Sequence, residues 1–208
     1  MKLLRVWIGC MGSAKTTSAL HAAQRYQRVG KRVLLVRPTR SVRSNETQEL
    51  LITRTQSSFK AMCVDRPPEI LWYSSEYDVV WVDEPALFTD EDDLYDTVQE
   101  IRKKQIVLVS GLCSTVDVAP FGISTPKIVA VADEVNHLKA DCDCCGGCGI
   151  ATRTLLINGE QVDGIKIGGC EAYCAVCPNC WEAFMTIPVE SRKGYLLSHP
   201  MTTKLVTK

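Results

Sequence analysis

The chain has 208 residues, 46% of them hydrophobic, and its 24 lysines and arginines balance its 24 aspartates and glutamates. This length suits one sizeable α/β core with a small appended domain. The charge balance gives no basic surface of the kind that binds duplex nucleic acid or an anionic membrane. No apolar run approaches the roughly 20 residues of a membrane-spanning helix. We therefore expect a cytoplasmic protein whose partners are small molecules.

Strand and helix signals alternate through about residue 135, which favours helices packed on a mainly parallel sheet. In chain order, the sequence predicts a strand over 3–8, a helix over 16–29, a strand over 32–37, a polar loop with a short helix over 39–58, a strand over 79–82, a helix from 89 to 104, and strands over 106–109 and 127–132. We expect a nucleotide-binding domain over 1–138, a second domain over 139–190 and a tail over 191–208.

A small-residue turn, Gly9-Cys10-Met11-Gly12-Ser13-Ala14, follows the first predicted strand and leads into Lys15-Thr16-Thr17. A strand, a turn and a helix N-terminus in this order aim backbone N–H groups at an anion. The run is close to the phosphate-loop pattern G-x-x-x-x-G-K-[ST], whose lysine contacts phosphates and whose hydroxyl holds Mg²⁺. The predicted phosphate-binding residues are Gly9, Gly12, Ser13, Ala14, Lys15, Thr16 and Thr17.

Ala14 departs from that pattern, because a glycine is usual at its position. If the position needs a positive φ angle, an alanine there costs about 1 kcal/mol or more. A strand, a turn and a helix with an N-terminal threonine pair could also occur by chance.

Two adjacent carboxylates, Asp83 and Glu84, follow the apolar run Val79-Val80-Trp81-Val82. Open α/β sheets bind ligands at the carboxyl ends of their strands. Because neighbouring residues at a strand end can point in different directions, Asp83 can address Mg²⁺ while Glu84 accepts a proton from an attacking hydroxyl group. The simpler alternative is an acidic pair that begins a solvated loop.

Eleven cysteines, most of them after residue 140, suit metal ligation in a reducing compartment better than a disulfide scaffold. Two C-x-x-C knuckles predict a tetrahedral zinc site with the ligands Cys142, Cys145, Cys177 and Cys180. Cys148 is an alternative ligand in the first knuckle, because Cys145 and Cys148 also have the required spacing. Four thiolates leave no open coordination position, so this zinc would be structural.

Between the knuckles, Asn-Gly and Asp-Gly turn signals precede the run Ile167-Gly168-Gly169-x-Glu171-x-Tyr173, which ends shortly before Cys177-x-x-Cys180. This run closely resembles the lasso loop of the type II thymidine kinases, the human cytosolic and bacterial family. The phosphate-loop run, Asp83-Glu84, and Leu112-x-x-Thr115 with Pro120-Phe121-Gly122 occur in the same order as that family's motifs. The resemblance extends from about residue 4 to residue 181.

The resemblance implies a P-loop fold of the RecA-like type, with helices on both faces of the sheet and a small zinc-binding lasso domain. It also implies transfer of a phosphoryl group from ATP, with Mg²⁺, to a pyrimidine deoxynucleoside such as thymidine. Thr16 and Asp83 would hold Mg²⁺, and Glu84 would be the general base for the 5′-hydroxyl group. Arg43 resembles the family's arginine near the phosphates, although an arginine in a polar loop is often simply solvated.

The nucleoside-binding residues that the resemblance implies are Met11, Leu87, Leu112, Phe121, Thr152, Gly168, Gly169, Cys170, Glu171 and Tyr173. The family further implies a homo-oligomer, namely a homotetramer.

Two motifs depart from the family. The D-E-G-Q-F-F run is here Asp83-Glu84-Pro85-Ala86-Leu87-Phe88, and L-D-G-T-F is Leu112-Cys113-Ser114-Thr115-Val116. Each lost aromatic contact should weaken stacking on the base by about 1 kcal/mol, so phosphorylation of a nucleoside is better supported than thymidine specificity. The alternatives are a zinc-ribbon ATPase that acts on nucleic acid and a catalytically impaired nucleotide-binding protein.

Overall fold

A computed structural model describes residues 1–41, 50–52, 58–89, 93–156, 172–188 and 191. The chain forms two compact units. The first consists of Met1–Ile8, Lys15–Cys113 and Pro120–His137, and the second of Gly9–Ala14, Ser114–Ala119 and the residues from Leu138 onward. The domain boundaries at 138 and 190 remain a prediction.

A sheet with the strand order β3-β4-β2-β5-β6-β1-β7 is the framework of the first unit. In the described residues its strands are β1 (Leu4–Gly9), β2 (Val33–Pro38), β3 (Leu50–Ile52), β4 (Ser58–Val64), β5 (Val79–Asp83), β6 (Ile106–Gly111) and β7 (Glu134–Leu138). The strands from β4 through β2, β5 and β6 to β1 are parallel, whereas β3 is antiparallel to β4. The predicted mainly parallel α/β fold is confirmed.

The central strands β2 and β5 consist of buried residues throughout. Strands that are covered on both faces are continuous apolar runs, which is why the sequence signals at 32–37 and 79–82 were clear. Trp81 is fully buried in β5, and its ring meets that of Phe59 edge-on at a centroid distance of 5.9 Å.

The helices of the first unit are α1 (Lys15–Arg28), α2 (Glu69–Ser74), α3 (Leu94–Ile101) and α4 (Ser124–Ala130). Helix α1 packs on β2, β5 and β6, and α3 packs on β6. Gly30 terminates α1 as predicted, with a φ angle of +79° and an N–H that donates to the Gln27 carbonyl group at 2.9 Å. None of the helices in the described ranges is both long and apolar enough to cross a membrane.

Two predicted elements are wrong. The strand predicted over 127–132 is instead the end of α4 and the turn after it, and the next strand is β7. Ile128 is fully buried whereas Val131 is partly exposed, and α4 packs against α3, so tertiary packing overrides the β propensity of this apolar run. Leu50–Ile52 forms a strand where a loop or short helix was predicted, because β4 offers it a pairing edge.

The second unit contains a two-stranded antiparallel ribbon, β8 (Arg153–Leu156) and β9 (Tyr173–Val176), followed by the helix α5 (Pro178–Met185). Its apolar cluster consists of Cys10, Ala140, Cys142, Ala151, Leu155, Cys174, Ala175, Val176, Cys177 and Phe184. Cys10 of the predicted phosphate loop therefore packs within this unit.

Asp133 ties three parts of the first unit together. Its Oδ2 atom accepts a hydrogen bond from the Leu4 backbone N–H at 2.7 Å and one from Arg102 Nη2 at 2.8 Å. Arg102 is buried at the end of α3 and also donates to the Val131 carbonyl group at 3.1 Å. The Leu4 hydrogen bond and the Arg102 charge hold the pKa of Asp133 below its ordinary value of 3.8.

We expect Asp133→Asn to lower the denaturant midpoint at pH 7, because the buried guanidinium of Arg102 loses its carboxylate partner. Because the pKa of Asp133 is lower in the folded than in the unfolded protein, the ionised carboxylate stabilises the fold at pH values above its unfolded-state pKa. This stabilisation is lost as the pH falls through its folded-state pKa. The gap between wild type and Asp133→Asn should therefore narrow below about pH 4. Urea titrations from pH 7 to pH 3.5 measure this difference in denaturation midpoint, with the variant Glu76→Gln at an exposed position as the control. A gap of constant size would contradict this role.

Candidate functional site

The predicted phosphate loop leaves β1 at Gly9 and enters α1 at Lys15. A side chain at Gly9 would place its Cβ atom 2.3 Å from the Leu138 carbonyl oxygen, so glycine is needed there. Ser13 closes the loop, because its hydroxyl group donates to the Cys10 carbonyl oxygen at 2.8 Å. Gly12 has a φ angle of +78° and Ala14 one of +61°. The position of Ala14 does require the left-handed conformation, so the expected backbone strain is present.

The start of α1 lies beside the end of β5 in the first unit. The Thr16 hydroxyl group donates to Asp83 Oδ1 at 3.4 Å. Lys15 is buried, and its positive charge acts on Asp83. The threonine of the predicted phosphate loop and the strand-end carboxylate are thus neighbours, which the predicted pair of Mg²⁺ ligands must be.

A buried hydrogen-bond chain fixes the Asp83 carboxylate. Trp81 Nε1 donates to Ser110 Oγ at 2.7 Å, and the Ser110 hydroxyl group donates to Asp83 Oδ1. Because the indole group occupies a lone pair of the Ser110 oxygen, the single hydroxyl proton is directed to Asp83. Oδ1 therefore accepts from Ser110 and Thr16 and has a defined orientation.

The surroundings of Asp83 bring its titration close to neutral pH. Burial, and after it the negative charge of Glu84, raises the pKa of Asp83 to about 7. The Ser110 hydrogen bond and the charges of Lys15 and Arg37 act in the opposite direction. A divalent cation would favour the ionised form.

Glu84 has different surroundings from Asp83, since it is partly exposed. It has a φ angle of +51°, and its N–H donates to the Ser110 carbonyl group at 2.8 Å. The turn Pro85–Leu87 follows it, and a Cβ atom at Gly111 would lie only 2.4 Å from Pro85 Cδ. Gly111 therefore makes room for Pro85, and the turn holds Glu84 in its strained conformation.

The predicted nucleoside-binding residues fall into three groups. Leu87, Leu112 and Phe121 belong to the first unit, and Met11, Thr152 and Tyr173 belong to the second. Like Arg43 of the predicted phosphate-binding set, the third group, Gly168, Gly169, Cys170 and Glu171, lies outside the described residues. Their joint role in one pocket stays a prediction.

The thiol groups of Cys142, Cys145, Cys177 and Cys180 form a cluster in which all sulfur atoms lie within 4.8 Å of one another. Zn–S bonds of about 2.3 Å in a tetrahedron place sulfur atoms about 3.8 Å apart, so this donor set fits zinc. Cys148 is not in the cluster, and the neighbouring Asp141 raises its pKa. The first knuckle is therefore Cys142 with Cys145.

Backbone N–H groups prepare Cys142 for metal binding. Burial by itself would raise the pKa of the Cys142 thiol, but donation from the N–H groups of Cys145, Cys177 and Cys144 lowers it to about 7. The Cys177 N–H lies 3.2 Å from Cys142 Sγ. By contrast, Cys174 is buried in the apolar cluster and is not one of the four clustered thiol groups, and its burial raises its pKa to about 12.

The sequence profile of the family described as thymidine kinase matches residues 2–181. The chain belongs to the thymidine kinase family. The thymidine kinase of Coprothermobacter proteolyticus is 35% identical over 180 residues, covering 84% of this chain and 87% of that protein. That of Pyrobaculum aerophilum is 34% identical over 186 residues (84% and 96%), and that of Bacteroides thetaiotaomicron is 29% identical over 179 residues (86% of each). The resemblance identified from the sequence motifs is confirmed.

Sequence reasoning missed two residues of this thymidine kinase family member that hold site groups in place. Ser110 pairs with Asp83 in the parallel register of β5 and β6, and a register prediction could have found it. Thr154 accepts a hydrogen bond from the Met11 N–H at 3.1 Å, and no local sequence signal indicates this contact.

We expect Ala14→Gly to leave stability unchanged or to raise it by up to about 1 kcal/mol, because it relieves strain at an exposed position. The matched control is Ala183→Gly in α5, which is also exposed and should destabilise by about 1 kcal/mol. Urea denaturation midpoints compare the two variants. An equal loss in both would show that Ala14 is not strained.

Cys145→Ser and Cys148→Ser are a matched pair, since both thiol groups are exposed. We expect Cys145→Ser to lose zinc and to lower the Tm, because a ligand is removed, whereas Cys148→Ser should keep both values. Elemental analysis of purified protein and thermal unfolding provide the measurements. Zinc loss on Cys148 substitution alone would reverse the assignment.

Proposed function

We propose that the chain transfers the γ-phosphoryl group of ATP to the 5′-hydroxyl group of thymidine, forming dTMP and ADP. Membership of the thymidine kinase family supports thymidine as the substrate. The observation that carries the reaction is the 3.4 Å contact between Thr16 Oγ1 and Asp83 Oδ1. It joins the start of the phosphate-loop helix to a strand-end carboxylate, which is the arrangement of phosphoryl-transfer sites.

The phosphate loop and Lys15 bind the β- and γ-phosphates of ATP in this proposal, with Gly9, Gly12, Ser13, Ala14 and Thr17 among the contributing positions. Thr16 and Asp83 would hold Mg²⁺, which neutralises charge on the phosphate oxygens when bound. The Ser110 hydrogen bond keeps the Asp83 carboxylate oriented while it does so.

Glu84 acts as the general base in this proposal. Its carboxylate accepts the proton of the nucleoside 5′-hydroxyl group as that oxygen bonds to the γ-phosphorus atom, and the bond from this phosphorus to the bridging oxygen of ADP breaks. Partial exposure of Glu84 and its fixed backbone at the end of β5 support this assignment. Asp83 is buried in a hydrogen-bond chain and is less suited to contact a substrate hydroxyl group.

By resemblance to the family, the nucleoside-binding residues would be Met11, Leu87, Leu112, Phe121, Thr152 and Tyr173, together with the lasso residues Gly168, Gly169, Cys170 and Glu171. Arg43 would stabilise negative charge on the transferred group. Leu87 and Val116 replace aromatic residues of the family pattern. With less aromatic stacking on the nucleoside base, binding of the base would depend more on the lasso backbone than in relatives that keep these aromatic residues. We further infer a homotetramer, from the family alone.

The four-cysteine cluster would hold a structural zinc ion. All four protein ligand positions of a tetrahedral site are filled by thiol groups, so no position is available for a substrate. The role of zinc would be to stabilise the second unit, whose core is small.

Incubation of the full chain with labelled ATP, Mg²⁺ and a panel of nucleosides tests the proposal. We expect dTMP from thymidine. Glu84→Gln should lower kcat by about 10²- to 10⁴-fold and leave ATP affinity within about threefold, whereas exposed Glu76→Gln should change neither.

Three other outcomes would contradict parts of the proposal. Hydrolysis of ATP that requires nucleic acid would favour the zinc-ribbon ATPase, and absence of turnover with intact ATP binding would favour an impaired binding protein. Full activity of Glu84→Gln would remove Glu84 from the role of base.

A further inference from the structure

Residues of the second unit anchor the phosphate loop at consecutive positions. The Met11 N–H donates to Thr154 Oγ1 at 3.1 Å, and the Cys10 thiol group donates to the Ala151 carbonyl oxygen at 3.3 Å. Gly9 lies so close to the Leu138 carbonyl group that no Cβ atom fits between them. Outside the loop, Leu138 and Ala151 contribute backbone carbonyl groups, whereas Thr154 contributes a side chain, so substituting Thr154 removes its contact without changing the loop sequence.

Thr154 is itself held firmly. It is 4% exposed and lies in β8, where it pairs with Ala175 of β9. The Ala175 N–H donates to Asp143 Oδ2 at 2.6 Å, and the Asp143 N–H donates to the Ala175 carbonyl group at 2.8 Å. Asp143 follows the zinc-cluster residue Cys142 directly. The Thr154 hydroxyl group is therefore fixed by a ribbon that is hydrogen-bonded, through Ala175 and Asp143, to the segment of the first knuckle.

The loop needs such an anchor, because its conformation is not one that its own residues favour. Ala14 has a φ angle of +61°, and strained backbone persists only where the surrounding structure determines it. Phosphate binding depends on the direction of the loop's N–H groups. A hydrogen bond that fixes the peptide plane before Met11 limits the orientations of the planes that follow.

We propose that Thr154 is a positioning residue for the phosphate loop, which holds the loop through the Met11 N–H in the conformation that binds the phosphates of ATP. This inference rests on the proposed kinase function. It assigns to the ribbon a part in nucleotide affinity that is separate from any contact with the nucleoside.

The test compares Thr154→Val, which keeps the shape of the side chain but lacks the acceptor oxygen, with Thr154→Ser, which restores it. We expect Thr154→Val to raise the KM for ATP and the Kd of a non-hydrolysable ATP analogue with Mg²⁺ by about five- to tenfold, which corresponds to roughly 1–1.4 kcal/mol. The KM for thymidine, kcat and zinc content should stay near the wild-type values. Thr154→Ser should bind the analogue like wild type.

Thr186→Val is the matched control, because this exposed threonine lies in the same unit, at the end of α5. It should change none of these values. Should Thr154→Val fail to fold, Thr154→Ala replaces it in the comparison with Thr154→Ser.

Analogue affinity that is equal in wild type and in the variant without the hydroxyl group would overturn the inference, and so would a wild-type chain that binds no analogue. Failure of the proposed reaction has a different signature. In that case no dTMP forms, while the analogue still binds wild type more tightly than the variant.

Discussion

The buried carboxylate of Asp83 is the constraint on which the described site depends. An ionised carboxylate in the protein interior must be hydrogen-bonded or paired with positive charge. Ser110 and Thr16 donate to it, and Lys15 and Arg37 contribute positive charge. These partners come from β6, the start of α1 and β2, so the parallel register of the central strands and the position of α1 both serve one side chain.

Strained backbone occurs at two of the positions that the proposed chemistry uses. Ala14 precedes Lys15, the proposed phosphate-binding lysine, and Glu84 is the proposed base; both Ala14 and Glu84 have positive φ angles. Gly111 leaves room for the Pro85 ring that follows Glu84, and the loop that contains Ala14 is hydrogen-bonded to Thr154 of the ribbon through the Met11 N–H. Pro85, a departure from the family pattern, is thus accommodated by a glycine on the adjacent strand.

Local signals in the sequence predicted the turn between β1 and α1, the strands β1, β2, β5 and β6, and the two cysteine knuckles, because each depends on residue types at short spacing. Contacts between distant residues could not be predicted in the same way. The choice of Cys142 over Cys148 depends on where the second knuckle lies. The helix at Ser124–Ala130 depends on packing against α3, and Ser110 becomes part of the site only through strand register.

The position of the proposed phosphate loop determines which effects zinc loss should have on this chain. The loop residues Gly9–Ala14 pack with the cysteine-rich second unit, whereas Lys15 begins a helix of the first unit. If the zinc-binding domain had no contact with the proposed phosphate loop, removal of the metal would disorder that domain and nothing else. Here the hydrogen bonds from Cys10 and Met11 end on Ala151 and Thr154 of that unit, so loosening of the ribbon removes restraints on the loop. Under the proposed function, zinc would therefore affect ATP affinity through structure, with no part in the chemistry.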